Sequence, residues 1–269
     1  MKWIALSAQV IVTIILAFAG VLLFSLALSP WFPLGRSTIP LIFAQNTAFI
    51  GAALVSWRWF EKRPMAEMGF RDPAPFYAFL RGSGIGLLLI GGLFLFLWMT
   101  PWMEVTGWRL DSATLSSLIY AGIAFLAVAI GEEVFTRGYL QTLLTTHGGT
   151  IAGIVLSSLV FSALHLQNPH TATLPMINLF VAGIFLGTAR WISGSLWLPI
   201  GLHFTWNWTQ ETLSLPVSGL HLTSSPPVSA KETGPDWITG GPFGLEGGVM
   251  ILLVMAAVIG WWVWSVRKS

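Results

Sequence analysis

The chain has 269 residues, of which 55% are hydrophobic and 9% charged, with 15 Trp and a mean hydropathy of +0.75. That balance excludes a soluble globular domain and predicts an all-α polytopic membrane protein. A net charge of +2 gives no reason to expect nucleic acid as a partner, and the absence of cysteine excludes a disulfide framework, a thiol nucleophile and a Cys-ligated metal.

Crossing the hydrocarbon takes about 20 apolar residues. Windows of that kind lie at 8–28, 39–57, 82–100, 113–131, 151–166, 174–188, 195–208 and 248–264. About eight transmembrane helices are therefore expected, enclosing an intramembrane polar cavity. The first window resembles a secretory signal, but its apolar run is too long and Lys2 supplies only a weak n-region, so it reads as a retained helix. Arg58, Lys62, Arg63, Arg71 and Arg81 make the stretch after the second window the most basic in the chain. By the positive-inside rule that loop is cytoplasmic, both termini of this multi-pass cell-membrane protein are cytoplasmic, and the 210–244 loop is outside. That loop holds Pro216, Pro226, Pro227 and Pro235 with several Gly and Ser, and is expected to be irregular.

The fourth window ends in Gly131-Glu132-Glu133-Val134-Phe135-Thr136-Arg137. Two carboxylates and a guanidinium at membrane depth need partners, water or a function. On a continuing helix Glu133 and Arg137 are i and i+4 and can pair, with Glu132 on a neighbouring face. In the next window Phe161 and His165 are i and i+4. With a turn at Gly148-Gly149, Glu133 and His165 both lie about 24 Å from it, at one level of an antiparallel hairpin. The seventh window adds His203 and Asn207, again i and i+4. A structural ion pair would explain Glu133 and Arg137 alone. It does not explain two histidines and an asparagine on two further apolar helices.

A carboxylate and an imidazole flanking a water can take its proton, and a His/Asn pair can donate to the oxyanion formed when hydroxide attacks a carbonyl. That chemistry is amide hydrolysis by an activated water. A metal reading uses the same residues, with Glu132, His165 and His203 as a His2Glu set for zinc. No cofactor is expected on the first reading, and zinc is the alternative on the second. His147, His170 and His221 fall in loops, where a solvated role is the default, and Asn168 and Asn178 are candidates for the cavity lining, with structural hydrogen bonding the expected use. Gly183 and Gly187 form a G-x-x-x-G pair expected to allow close helix packing.

Glu132-Glu133-x-x-x-Arg137, Phe161-x-x-x-His165 and His203-x-x-x-Asn207, in this order on successive apolar helices, resemble the CAAX protease and bacteriocin-processing (CPBP) family. Its members are intramembrane glutamate proteases related to the Rce1-type CAAX prenyl endopeptidases, long described as metalloproteases. The resemblance implies Glu132 and His165 as the water-activating pair, His203 and Asn207 as the oxyanion hole, and Glu133 with Arg137 as their support. It implies a membrane-anchored protein or peptide as substrate and membrane lipid as the surrounding partner. The chain then divides into N-terminal transmembrane helices (1–112), a CPBP-like catalytic core (113–209), an irregular extramembrane loop (210–245) and a C-terminal transmembrane helix (246–269). A non-proteolytic scaffold or bacteriocin-immunity protein of the same fold and a proton-coupled transporter are the competing readings. The prenyl proteases imply a site opening to the cytoplasm, whereas a turn at Gly149 lying at the cytoplasmic surface puts the site nearer the outer face. Either the fourth helix overshoots the bilayer or the span count is off by one.

Overall fold

Apolar runs of this length can satisfy their backbone groups in lipid only as helices, and the chain follows that constraint. The computed structural model describes residues 2–32 and 39–268. It contains α1 (Lys2–Leu28), α2 (Ile39–Ser56), α3 (Pro75–Trp98), α4 (Ser112–Glu133), α5 (Gln141–Leu164), α6 (Thr173–Ser193), α7 (Trp197–Thr212), the short α8 (Asp236–Thr239) and α9 (Val249–Lys268). The protein is thus a helical polytopic membrane protein. Among the described residues six helical runs are long and apolar enough to cross a membrane, one of them the continuous run 112–164. That run folds back on itself and so supplies two of the expected windows. The remaining window is α7, whose 16 residues span about 24 Å, short of the hydrocarbon thickness. It carries His203, Asn207, Gln210 and Glu211 and is buried on most of its surface, so protein rather than lipid surrounds it.

The fold-back is at Gly149 (φ 82°, ψ 170°), a backbone conformation that glycine adopts without the penalty of a Cβ. In a straight helix Gln141 and Gly153 would be about 18 Å apart. Instead, a Cβ placed on Gly153 would lie 2.9 Å from the Gln141 carbonyl oxygen, which shows two antiparallel arms.

Two contacts fix where the first arm stands. Trp57, at the start of the basic loop, meets Tyr139 edge to face with ring centroids 6.5 Å apart, and Gly138 lies against Met68 and Leu196. Residues 138–139 are therefore level with the basic loop, and the arm runs about 15 Å further before it turns. The arm carries Gln141, Thr142, Thr145, Thr146 and His147 along with Leu143 and Leu144, which are buried. Along the helix axis Glu132 and Glu133 lie about 10 Å from the basic loop and about 24 Å from the turn.

α7 is fixed by α3. A Cβ on Gly82 would fall 2.0 Å from the Leu198 carbonyl oxygen and one on Gly201 would fall 2.1 Å from that of Phe79, so the two backbones approach as only small residues permit. Thr205 Oγ1 donates to the Ser83 carbonyl at 2.8 Å across the same seam.

The 210–244 stretch, expected to be irregular, contains a strand. β1 (Met103–Trp108) and β2 (Val228–Glu232) form an antiparallel ribbon in which Met103 faces Glu232 and Trp108 faces Val228. Alternation drives it, since Met103 and Val228 are buried while Glu104 and Ser229 are exposed. Burial pushes the Glu232 carboxyl up from its ordinary value, against the hydrogen bond it accepts from Gly241 N at 2.8 Å. Nearer α7, Glu211 Oε1 accepts from Leu222 N (3.1 Å), Thr223 N (2.7 Å) and Thr223 Oγ1 (2.8 Å), which folds this stretch back over the helices.

Candidate active site

Between α4 and α5 the chain is π-helical over Val134–Leu140, and every residue of that stretch is buried. Such insertions re-aim side chains and are frequent at functional sites. Here the result is a charged layer. Arg137 Nη1 donates to Glu133 Oε1 at 2.9 Å and to Thr136 Oγ1 at 2.7 Å, Nη2 donates to the Gly183 carbonyl at 3.2 Å, and Cζ lies 4.3 Å from the centre of the Phe161 ring. Glu133 Oε1 also meets His203 Nδ1 at 2.9 Å. Glu133 is fully buried and Arg137 nearly so, so this pair is stable only with its hydrogen bonds complete. The carboxylate accepts from His203 Nδ1–H, so a neutral ring offers a lone pair at Nε2 and an imidazolium offers a donor.

Glu132 turns the other way. Its Oε2 is buried without a hydrogen-bond partner among the described residues and stands 4.0 Å from His165 Nε2. His165 caps the end of α5, its Nδ1 2.9 Å from the Phe161 carbonyl and its ring 4.9 Å from that of Phe161. Donation from Nδ1 to that carbonyl leaves the Nε2 lone pair directed at the carboxylate. The structure therefore brings together Glu132, His165, His203 and Asn207, with Glu133 and Arg137 beneath them. The division of Glu132 from the Glu133–Arg137 pair follows the expected spacing. The bond between Glu133 and His203 was not expected.

Glu132, His165, His203 and Asn207 line a cavity of about 180 Å³. Asn207 is buried on its wall and makes no side-chain hydrogen bond among the described residues. The rest of the wall is largely apolar, with Phe49, Phe125, Leu186, Leu202 and Trp206.

Four polar residues of the wall were missed from sequence, Gln45, Asn46, Ser218 and Glu246, and two of them are buried with telling partners. Asn46, on α2, is 2% exposed; its Nδ2 is tied to the Ile42 carbonyl at 2.8 Å and its Oδ1 has no partner. A Cβ on Gly131 would lie 2.3 Å from that Oδ1, so glycine beside Glu132 is what lets Asn46 approach. The signal was an asparagine in an apolar span, with Ile42, Gln45, Asn46 and Phe49 at helical spacing on one face. Glu246 is the other. Its Oε1 accepts from Trp206 Nε1 at 2.9 Å and Gln210 Nε2 at 3.5 Å, and its Oε2 accepts from Ser218 N at 2.9 Å and Ser218 Oγ at 2.5 Å. Nothing around Glu246 in the sequence predicts these partners, which come from α7 and from Ser218.

Other polar residues have structural work. Asn178 donates to the carbonyls of Glu246 and Gly248, and Asn168 to that of Ser218 at 2.9 Å. The Gly187 carbonyl takes Gln141 Nε2 at 2.9 Å, as that of Gly183 takes Arg137. His147, His170 and His221 do not line the cavity. For the His2Glu zinc set, among the described residues no group of three His, Asp or Glu side chains has the geometry to hold a metal ion.

Carboxylates, imidazoles and an amide thus converge on one internal cavity of a helical polytopic membrane protein. Residues 112–209, less than half of the chain, match the Rce1-like family model, described as type II CAAX prenyl endopeptidase Rce1-like. That segment is similar to this family of membrane endopeptidases. Comparison of the chain with curated proteins gave no match.

Proposed function

We propose that the protein is a glutamate-type intramembrane endopeptidase that cuts a peptide bond of a membrane-anchored protein or peptide. The observation that carries this reading is the pairing of an unpartnered, buried Glu132 Oε2 with His165 Nε2 at 4.0 Å inside a membrane-embedded cavity. That separation leaves room for a water bound to both groups. Glu132 takes a proton from this water as its oxygen attacks the scissile carbonyl carbon. The carbonyl π pair moves to oxygen, and the oxyanion is met by Asn207 and by His203 in its imidazolium form. When the tetrahedral intermediate collapses the C–N bond breaks, and the proton held by Glu132 passes to the leaving amine. Glu133 and Arg137 act through others: Glu133 orients His203, and Arg137 balances the charge of Glu133. No step in this scheme needs a cofactor. Elemental analysis of active protein, with a chelator control, tests zinc directly.

The deciding experiment is comparative membrane proteomics of cells expressing wild type or Glu132→Ala, followed by cleavage of any candidate peptide by purified protein in detergent. Fragments that disappear in the variant, and cutting lost in vitro, are the expected result. Equal cutting by both proteins refutes the reading and leaves a scaffold or immunity role.

A further inference from the structure

The cavity has a closed side and an open side. Towards the basic loop it is floored by packed residues: Phe135, Tyr139, Leu140, Trp57 and Met68 are fully buried, and Arg137 nearly so beneath Phe161. Most wall residues that retain exposure point the other way: Ile42 and Gln45 in the first turns of α2, Leu164, His165 and Asn168 at and just beyond the end of α5, and Leu220 and Leu222 in the stretch leading to β2. These belong to the half of the molecule that carries the ribbon, as the bond from Asn168 to Ser218 also shows. Val128 and Ala182, half-buried at the level of the carboxylates, are the exceptions.

Charge divides along the same axis. Arg58, Lys62, Arg63 and Arg71 lie at the closed face, joined there by Arg190 at the end of α6, which packs on Gly69, and by Arg267 and Lys268 at the end of α9. At the ribbon face the described basic residues are Arg109, beside Asp111 at 3.8 Å, and Lys231; Arg36, in the α1–α2 connection, lies outside the described residues. Short loops rich in Lys and Arg stay in the cytoplasm.

We infer that the site opens to the non-cytoplasmic side of the membrane, and that its substrate is a membrane-anchored peptide whose scissile bond lies in or near the outer leaflet. The claim about substrate rests on the protease reading above; the claim about sidedness does not. A prenylated protein on the cytoplasmic surface would meet the packed floor.

The natural chain has no cysteine, so single cysteines report position without background. Full-length Ala66→Cys in the basic loop, Thr106→Cys on β1 and Gln45→Cys at the mouth are exposed, charge-neutral positions. In intact cells a membrane-impermeant maleimide should label Thr106→Cys and Gln45→Cys and spare Ala66→Cys, which labels only after permeabilisation. The reverse pattern, or equal labelling of both faces, overturns the proposal. In a second arm, an anchored reporter peptide is displayed on either side of the membrane with wild type or Glu132→Ala. Cutting by wild type of the outward reporter alone is expected, and cutting of the inward reporter alone overturns the substrate claim. If neither reporter is cut differently by the two proteins while labelling follows the expected pattern, the protease reading fails and the sidedness stands.

Discussion

Two regions of the molecule bury carboxylates against the same cavity, and they do it differently. Glu246 has both oxygens filled by neutral donors, Trp206, Gln210 and the backbone and hydroxyl of Ser218, which leaves little capacity for anything else. Among the described residues Glu132 and Glu133 each keep an oxygen without a hydrogen-bond partner, and a guanidinium pairs with Glu133. A saturated carboxylate of the first kind holds elements together. An unsaturated one is retained at a cost of several kcal/mol in such surroundings unless something else meets it, and Asn46 Oδ1, against Gly131, is likewise without a partner among the described residues. Burial alone does not separate the two kinds; the count of donors does.

The comparison can be broken by substitution. The largest effect belongs to Glu132→Gln, which preserves shape but removes the base: cleavage of a confirmed peptide should fall about 1,000-fold with the melting temperature unchanged. A variant that cuts normally would place Glu132 with Glu246. Arg137→Met should act on stability instead, by about 3–5 kcal/mol, because it strands the buried Glu133 charge. Adding Glu133→Gln should recover part of that loss in thermal unfolding, whereas independent sites would only add. Glu246→Ala strands Trp206 Nε1 and Ser218 N and should cost about 2 kcal/mol, while the protein that stays folded still cuts. Loss of cutting without loss of stability would give Glu246 a chemical role. The smallest effect concerns Glu232 in the ribbon, whose raised pKa means the folded state holds its proton longer than the unfolded chain. Its stabilisation is present below the ordinary glutamate pKa, about 4.3, and is lost as pH rises from there through the folded-state value. Melting curves of wild type between acid and neutral pH should show this decline, and Glu232→Gln should flatten it.

Helices and their order were legible because lipid leaves an apolar run no other choice. The layer of Glu132, Glu133, Arg137, His165, His203 and Asn207 was legible as a convergence because charged and hydrogen-bonding side chains on apolar helices narrow the options. Helical spacing could not give their partners. Glu133 reaches His203 across 70 positions of sequence, and the π-helical stretch breaks the 3.6-residue phase on which such arguments depend. Asn46 was overlooked because one amide in an apolar helix is a weak mark until Gly131 is seen beside it. The strand at 228–232 was hidden among prolines, and its pairing with 103–108 is a long-range fact. The turn at Gly149 and the basic loop stand at different levels, which the contact of Trp57 with Tyr139 shows and helical spacing could not.

The π-helical stretch sets a constraint on how this protein can change over time. It joins Glu132 and Glu133 on one side to Gln141 and the projecting arm on the other, and each residue of a helix turns the chain by about 100°. Losing or gaining one residue between 134 and 140 would rotate the carboxylates relative to everything that follows, taking Glu133 from His203 and Glu132 from His165 together. The arm beyond Leu144 is more exposed, and its tip at Gly148 and Gly149 can lengthen or shorten without altering that phase. Related sequences should therefore show gaps around Gly148 and Gly149 and an invariant length from Glu132 to Gln141.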